Sequence, residues 1–282
     1  MTISVEKDKI VLIKNENFDI KSILECGQVF RYAARGGGYA VYSKDKCAFV
    51  RQTPDMAEIV TADPNYFYGY FDLERDYGEI TAALSAKGGI TAEAVEYGRG
   101  IRILNQDLTE MIFSFILSSN NNIKRIQGIL ERLCQGLGEK TPYGHAFPSV
   151  ESLAAAPESF YRAIGCGYRA PYMSKTAMAL LGGFDLKGLD ALPASAARKR
   201  LMSLSGVGGK VADCILLFGL KKSDVFPVDT WIKKVYADYF SDGKDASQEQ
   251  IADFFVKYYG NLSGYAQQYL FYMQRESIAK AK

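Results

Sequence analysis

The chain has 282 residues, 48% of them hydrophobic and 23% charged, with a formal net charge of only +2. That length and apolar content point to a soluble, globular body of about two subdomains around a sizeable core. The near-neutral charge names no partner, because a small sum can hide a basic face opposite an acidic one.

No run of roughly 18 apolar residues is present, and the N-terminal stretch MTISVEKDK lacks the apolar segment of a secretory signal. No membrane contact and an intracellular location are therefore expected. The cysteines at 26, 47, 134, 166 and 214 are odd in number and include no close pair. They read as reduced thiols, with neither a disulfide framework nor a Cys-x-x-Cys metal knuckle. His145 is the only histidine, which excludes a multi-histidine metal site and argues against a histidine-based triad. Lysine and carboxylate chemistry are favoured if the protein is an enzyme.

In chain order, ISVEKDKIVLIK and GGGYAVYSKDKCAFVRQ alternate like antiparallel strands, with Gly36, Gly37 and Gly38 as a turn. A β-rich region is expected over residues 1 to 62, and the pattern becomes helical after DPNYFYGYFDLERDYGEI. The run DLTEMIFSFILSS, 107 to 119, opens with Asp-x-x-Glu, resembling a capping box, and predicts a buried helix. After Asn120, Asn121 and Asn122, the residues Ile123, Ile126, Leu130, Leu133 and Leu137 recur at helical spacing until Gly138. Further helices are expected near 157–164, 171–182, 194–203, 210–220, 230–240, 247–259 and 263–279. The fold class is α+β: an N-terminal antiparallel β-rich domain, 1–95, packed on a mainly helical domain, 96–282.

The stretch LSGVGGKVADCILLFGLKKSDVFPVDTW, 204 to 231, carries the strongest chemical signal. Two helices flank a turn whose Gly206, Gly208 and Gly209 let backbone N–H groups approach an anion at a helix N-terminus; a DNA phosphate fits such a cradle, although a tight turn needs the same glycines. Lys210 stands at that helix start beside apolar residues, and both surroundings disfavour an ammonium and favour a nucleophilic amine. Asp229 follows nineteen positions later, just after Pro227 and Val228, where a loop can turn it back toward the hairpin. It suits two roles together: an N-cap for the next helix and a carboxylate that stabilises a cationic sugar in a transition state.

SGVGGKVADC followed by PVD resembles the helix–hairpin–helix, Gly/Pro-rich loop and aspartate signature of DNA glycosylases. The pairing of hairpin lysine with downstream aspartate is similar to that of the bifunctional members, which also cleave the DNA backbone. ECGQVFRY at 25–32, FSFILSSNNNIKRIQGILERLCQGLG at 113–138 and GYRAPY at 167–172 extend the resemblance over nearly the whole chain, to the 8-oxoguanine DNA glycosylases.

That resemblance implies a double-stranded DNA substrate containing 8-oxoguanine, whose damaged nucleotide is flipped into a pocket. It implies that Asn120 fills the vacated space, that Tyr168 wedges beside the orphan base, and that Arg125 and Arg169 grip it. The Gly27 carbonyl would accept a hydrogen bond from N7–H, a donor that guanine lacks. Gln267 would read the Watson–Crick edge, and Phe271 and Cys214 would sandwich the base. Thr230 and Trp231 stand where relatives often carry a phosphate-touching histidine, so that contact is in doubt. The resemblance implies no metal or organic cofactor, action as a monomer, and work in the prokaryotic cytoplasm or a eukaryotic nucleus. Two alternatives fit less of the sequence: an alkylpurine glycosylase, which uses the aspartate without the lysine, and a non-catalytic DNA-binding module.

Overall fold

The computed structural model of the protein describes residues 1–241, 243 and 245–280. Six strands form one antiparallel sheet: β1 (Thr2–Val5), β2 (Lys9–Ile13), β3 (Tyr32–Arg35), β4 (Gly38–Ser43), β5 (Lys46–Gln52) and β6 (Met56–Thr61), in the spatial order β1-β2-β6-β5-β4-β3. Arg35 pairs with Gly38 across a two-residue turn in which Gly36 and Gly37 have φ of +56° and +73°. Such a turn requires positive φ at both central positions, which glycine takes without strain.

Alternation along the strands buries Ile10, Leu12, Val41, Val50 and Ile59 on one face. Phe67, Tyr70 and Phe71, at the Pro64–Tyr70 helix, close this first core. A short helix that strand alternation does not reveal, Ile20–Glu25, interrupts the β region. Its cap explains it: Asp19 Oδ1 accepts the Ser22 N–H at 2.7 Å.

The helices from Tyr77 onward share a second, larger core, into which Cys26 and Phe30 also project. The segment between the Ile20–Glu25 helix and β3 thus runs along the seam between the two cores. Arg102 fastens the same seam. Wholly buried, it donates to the carbonyls of Phe71, Asn17, Asp72 and Arg75 and lies 4.0 Å from the centre of the Tyr77 ring. All five cysteines are free and buried.

The helices expected from sequence are found at Leu108–Ser118, Ile123–Leu137, Glu158–Ala163, Ala170–Leu181, Ala194–Leu201, Gly209–Leu220, Thr230–Tyr239, Gln248–Tyr259 and Ser263–Lys280. One detail differs. Asp107 caps the Leu108–Ser118 helix by accepting the Glu110 N–H at 3.0 Å, but Glu110 does not complete a capping box. Its carboxylate is buried and turns instead to Arg31 at 2.9 Å and the Lys44 N–H at 3.1 Å. Burial raises its pKa, and the Arg31 charge opposes that rise. A tertiary ion pair has replaced the local bond. Among the described residues no helix is long and apolar enough to cross a membrane.

Candidate active site

A cleft of about 540 Å³ opens where the Leu108–Ser118, Gly209–Leu220, Thr230–Tyr239 and Ser263–Lys280 helices meet the Gly27 turn. Lys210, Asp229, Gly27 and Phe271 all line it, so residues far apart in the chain converge there. Phe30, Phe115, Ser118, Trp231 and Arg275 complete much of the wall. The lining is largely apolar, with Lys210 and Asp229 set in it and Lys124 and Arg275 as its other charged members, which suits a flat heterocycle.

The hairpin positions the amine. Val207 is buried and anchors the turn, while Gly206 has a φ of +81°. A Cβ at Gly206 would stand 2.7 Å from Tyr172 Cβ, so this glycine serves both conformation and close packing. Gly209 is less constrained, since a Cβ there would meet Arg198 Nη2 at 2.3 Å, the movable tip of a long side chain. Gly208 is exposed, and a Cβ on it would meet nothing. The Gly209–Leu220 helix starts at Gly208 without a side-chain cap, which leaves its first N–H groups for solvent or an anion.

Lys210 Nζ donates to Ser118 Oγ at 3.3 Å and lies 5.4 Å from the centre of the Phe115 ring. Ser118 in turn donates to the Phe115 carbonyl at 2.8 Å, which fixes its hydroxyl as an acceptor for the amine. Asp229 begins the Thr230–Tyr239 helix, its Oδ1 accepting the N–H groups of Trp231 and Ile232 at 3.0 and 2.9 Å. Burial raises the Asp229 pKa above the usual carboxylate value, opposed by the Ile232 N–H, the Lys210 charge and the Trp231 N–H. The expected cap is thus present beside the lysine's charge. Trp231 itself lines the cleft, at a position where no imidazole is available.

Gly27 has a φ of +85°, and its missing Cβ is replaced by the Phe271 ring, whose Cε1 is 3.0 Å from the vacant position. Cys214 and Gln267 are 3% and 5% exposed and are not among the lining residues. Burial pushes the Cys214 thiol up to about 11, so it is neutral at physiological pH. Gln267 Oε1 is buried without a hydrogen-bond partner.

A second group stands at the rim. Asn120 is exposed and holds a left-handed φ of +48°, immediately after the Leu108–Ser118 helix and its cap Ser119. Tyr168 is 53% exposed, and its hydroxyl donates to the Ser119 carbonyl at 3.1 Å. Arg125 is exposed near Gly167. Arg169 differs from the other three. It is 2% exposed, with its guanidinium under the Asn120 turn, donating to the carbonyls of Ser119, Asn120 and Cys166 and stacking 4.2 Å from the centre of the Tyr168 ring. In this structure it supports the rim. Ser118, Phe115 and Arg275 were not singled out by sequence; the Ser-Ser pair before the three asparagines was the available signal for Ser118.

Comparison with known proteins identifies the family. Residues 10–112 match the model of the 8-oxoguanine DNA glycosylase N-terminal domain, and residues 113–259 match that of the HhH-GPD superfamily of base excision DNA repair proteins. A probable N-glycosylase/DNA lyase of Methanothermobacter thermautotrophicus is 32% identical over 231 residues, which cover 73% of this chain and 73% of that protein. The N-glycosylase/DNA lyase OGG1 of Arabidopsis thaliana is 32% identical over 80% of this chain and 64% of its own length. Among solved structures, Clostridium acetobutylicum 8-oxoguanine glycosylase/lyase, in complex with duplex DNA containing cytosine opposite the lesion, superposes with a TM-score of 0.93 at 36% identity over 99% of both chains. The 3-methyladenine DNA glycosylase of Archaeoglobus fulgidus shares the fold at 14% identity and a TM-score of 0.76. With the two family models together matching residues 10–259, and Lys210 and Asp229 lining one cleft, the chain belongs to the 8-oxoguanine DNA glycosylases of the HhH-GPD superfamily.

Proposed function

We propose that this protein excises 8-oxoguanine from duplex DNA, preferentially opposite cytosine, and then nicks the strand as an AP lyase. The observation that carries the proposal is the meeting of Lys210 and Asp229 in one largely apolar cleft with Gly27 and Phe271. A base inside a duplex cannot reach that amine, so the nucleotide is flipped out, at an unstacking cost of roughly a few kcal/mol.

Lys210 Nζ attacks C1′ with its lone pair and the C1′–N9 bond breaks, that bond's electron pair leaving with the base. Asp229 stabilises the positive charge that develops on the sugar. Nζ then passes one proton to the departing base, and ring oxygen O4′ takes a proton from solvent as the sugar ring opens, which yields a protonated Schiff base. Loss of a C2′ proton expels the 3′ phosphate by β-elimination. The sequence of steps is complete without a metal or organic cofactor.

Recognition is divided among several groups. The Gly27 carbonyl accepts N7–H of the lesion and meets a lone pair on guanine, Phe271 and Cys214 take the two faces of the base, and Gln267 turns its amide to the Watson–Crick edge. Asn120 and Tyr168 occupy the space left in the duplex, Arg125 holds the orphan cytosine, and Arg169 takes part by fixing the Asn120 turn from beneath. Gly206, Gly208 and Gly209 shape the phosphate-binding turn. The enzyme acts as a monomer where chromosomal DNA lies, in the cytoplasm of a prokaryote or the nucleus of a eukaryote. An alkylpurine glycosylase on this fold has no use for Lys210, which favours the oxidised lesion.

Single-turnover excision from duplexes carrying 8-oxoguanine, 3-methyladenine or 7-methylguanine tests the proposal. Release of 8-oxoguanine with strand nicking supports it, whereas release of the alkylpurines alone, without nicking, would overturn it.

A further inference from the structure

Gln267, Phe271 and Arg275 follow at four-residue intervals on the Ser263–Lys280 helix and so share one face. Both ends of this stripe carry an unmet polar atom: Gln267 Oε1 and Arg275 Nη1 are buried with no hydrogen-bond partner. The rest of the Arg275 guanidinium is committed. Nη2 donates to the Glu25 carbonyl and to Glu276 Oε1, Nε donates to Glu276 Oε1 at 3.1 Å, and the group lies 5.3 Å from the centre of the Phe271 ring. Buried donors are almost always paired, so an orphan at the wall of a binding cleft asks for a partner that the free protein does not supply.

Arg275 lines that cleft beside Gly27, with Nη1 3.1 Å from where a Cβ on Gly27 would stand. Arginine offers donors only, so its partner must be an acceptor. We propose that Arg275 is a specificity-determining residue whose Nη1–H donates to the C8 carbonyl oxygen of the flipped 8-oxoguanine. The inference rests on the lesion pocket described under the proposed function.

Geometry favours O8 over the other carbonyl of the base. In 8-oxoguanine N7–H and C8=O are adjacent, as the Gly27 turn and Arg275 are in the cleft. The helix rises about 1.5 Å per residue, so Gln267 and Arg275 stand roughly 12 Å apart along its axis. That span has room for a purine lying between two hydrogen bonds of about 2.9 Å. With Gln267 at the Watson–Crick edge, O6 lies at its end of the base and O8 at the end facing Arg275. Guanine carries only C–H at C8, so Arg275 and the Gly27 carbonyl would discriminate through two different atoms of the lesion.

The test measures DNA binding by Lys210→Gln protein, with and without Arg275→Leu. Four cytosine-opposed duplexes are used, carrying 8-oxoguanine, 2-amino-8-oxopurine (which lacks O6), 8-methylguanine or a tetrahydrofuran abasic analogue. Arg275→Leu is expected to weaken binding about tenfold or more on the two duplexes that carry O8, and by less than about twofold on the other two, with Arg275→Lys restoring part of the loss. An equal loss on all four would mean that Arg275 only braces Phe271 and the Glu25 carbonyl, and would overturn the proposal. A loss on 8-oxoguanine that is absent on 2-amino-8-oxopurine would place the contact at O6 and overturn it as well. Should the parent Lys210→Gln protein bind all four equally, the lesion pocket fails and this inference with it, a result separable from the other two because it appears before Arg275 is changed.

Discussion

Lys210 Nζ rests on Ser118 Oγ at 3.3 Å, while Asp229 directs Oδ1 at the N–H groups of Trp231 and Ile232. The amine and the carboxylate thus face one cleft from separate anchors. Ser118→Ala is expected to slow single-turnover excision about two- to tenfold, as the loss of one hydrogen bond that aims the amine. Borohydride trapping should survive in this variant. An unchanged rate would show that the hydroxyl does not aim the amine.

The anchors of Asp229 give a prediction with a definite sign. Because burial raises its folded pKa, the protonated form is the better tolerated in the fold. Its contribution to stability is fully present below the ordinary carboxylate pKa, about 4, and is lost as pH rises through the raised folded value. Asp229→Asn keeps the capping oxygen and drops the charge, so its melting temperature should equal or exceed that of the unmodified protein at neutral pH, with the advantage vanishing in acid. Asp229→Ala should lie about 0.5 to 2 kcal/mol below the asparagine variant, the worth of a cap. Both should be slow enzymes. Identical melting of the two variants would remove the capping role.

The two arginines of the rim should separate. Arg169→Ala removes the guanidinium donors from the part-buried carbonyls of Ser119 and Asn120, leaving Ser119 only the Tyr168 hydroxyl, and should cost about 1 to 3 kcal/mol of stability, measurable by urea denaturation. Arg125→Ala removes an exposed side chain and should leave the midpoint unchanged while weakening selection of the opposite base. The reverse pattern would mean that Arg169 is free to read DNA and that Arg125 is the structural one.

Cytosine presents two adjacent acceptors, N3 and O2, to a guanidinium, whereas adenine sets an amino donor beside its ring acceptor and thymine a ring N–H. With each mismatched contact costing roughly 1 to 3 kcal/mol, excision opposite cytosine should be at least about ten times faster than opposite adenine. Indifference to the opposing base would show that Arg125 touches only phosphate or solvent.

Much of this site is written in short-range patterns. The Gly206–Gly208–Gly209 turn, the lysine after it and the Asp–helix junction at 229 are local, and each lies where its spacing places it. Other features depend on distant chain. Ser118 meets Lys210 across 92 positions, and Glu110 abandons a local capping bond for Arg31, 79 positions away. Arg169 has the composition of a DNA-facing residue and is nevertheless buried, because the left-handed Asn120 turn exposes carbonyls that it satisfies. No periodicity encodes such choices, since they arise from which helix ends the two cores bring together.

Reaction with 8-oxoguanine opposite cytosine in the presence of borohydride, followed by peptide mass mapping, tests the central claim most directly. One covalent DNA adduct is expected, on the peptide containing Lys210, and none with Lys210→Gln protein that still binds the duplex. An adduct on another lysine or at the N-terminus, or base release with no adduct at all, would contradict it.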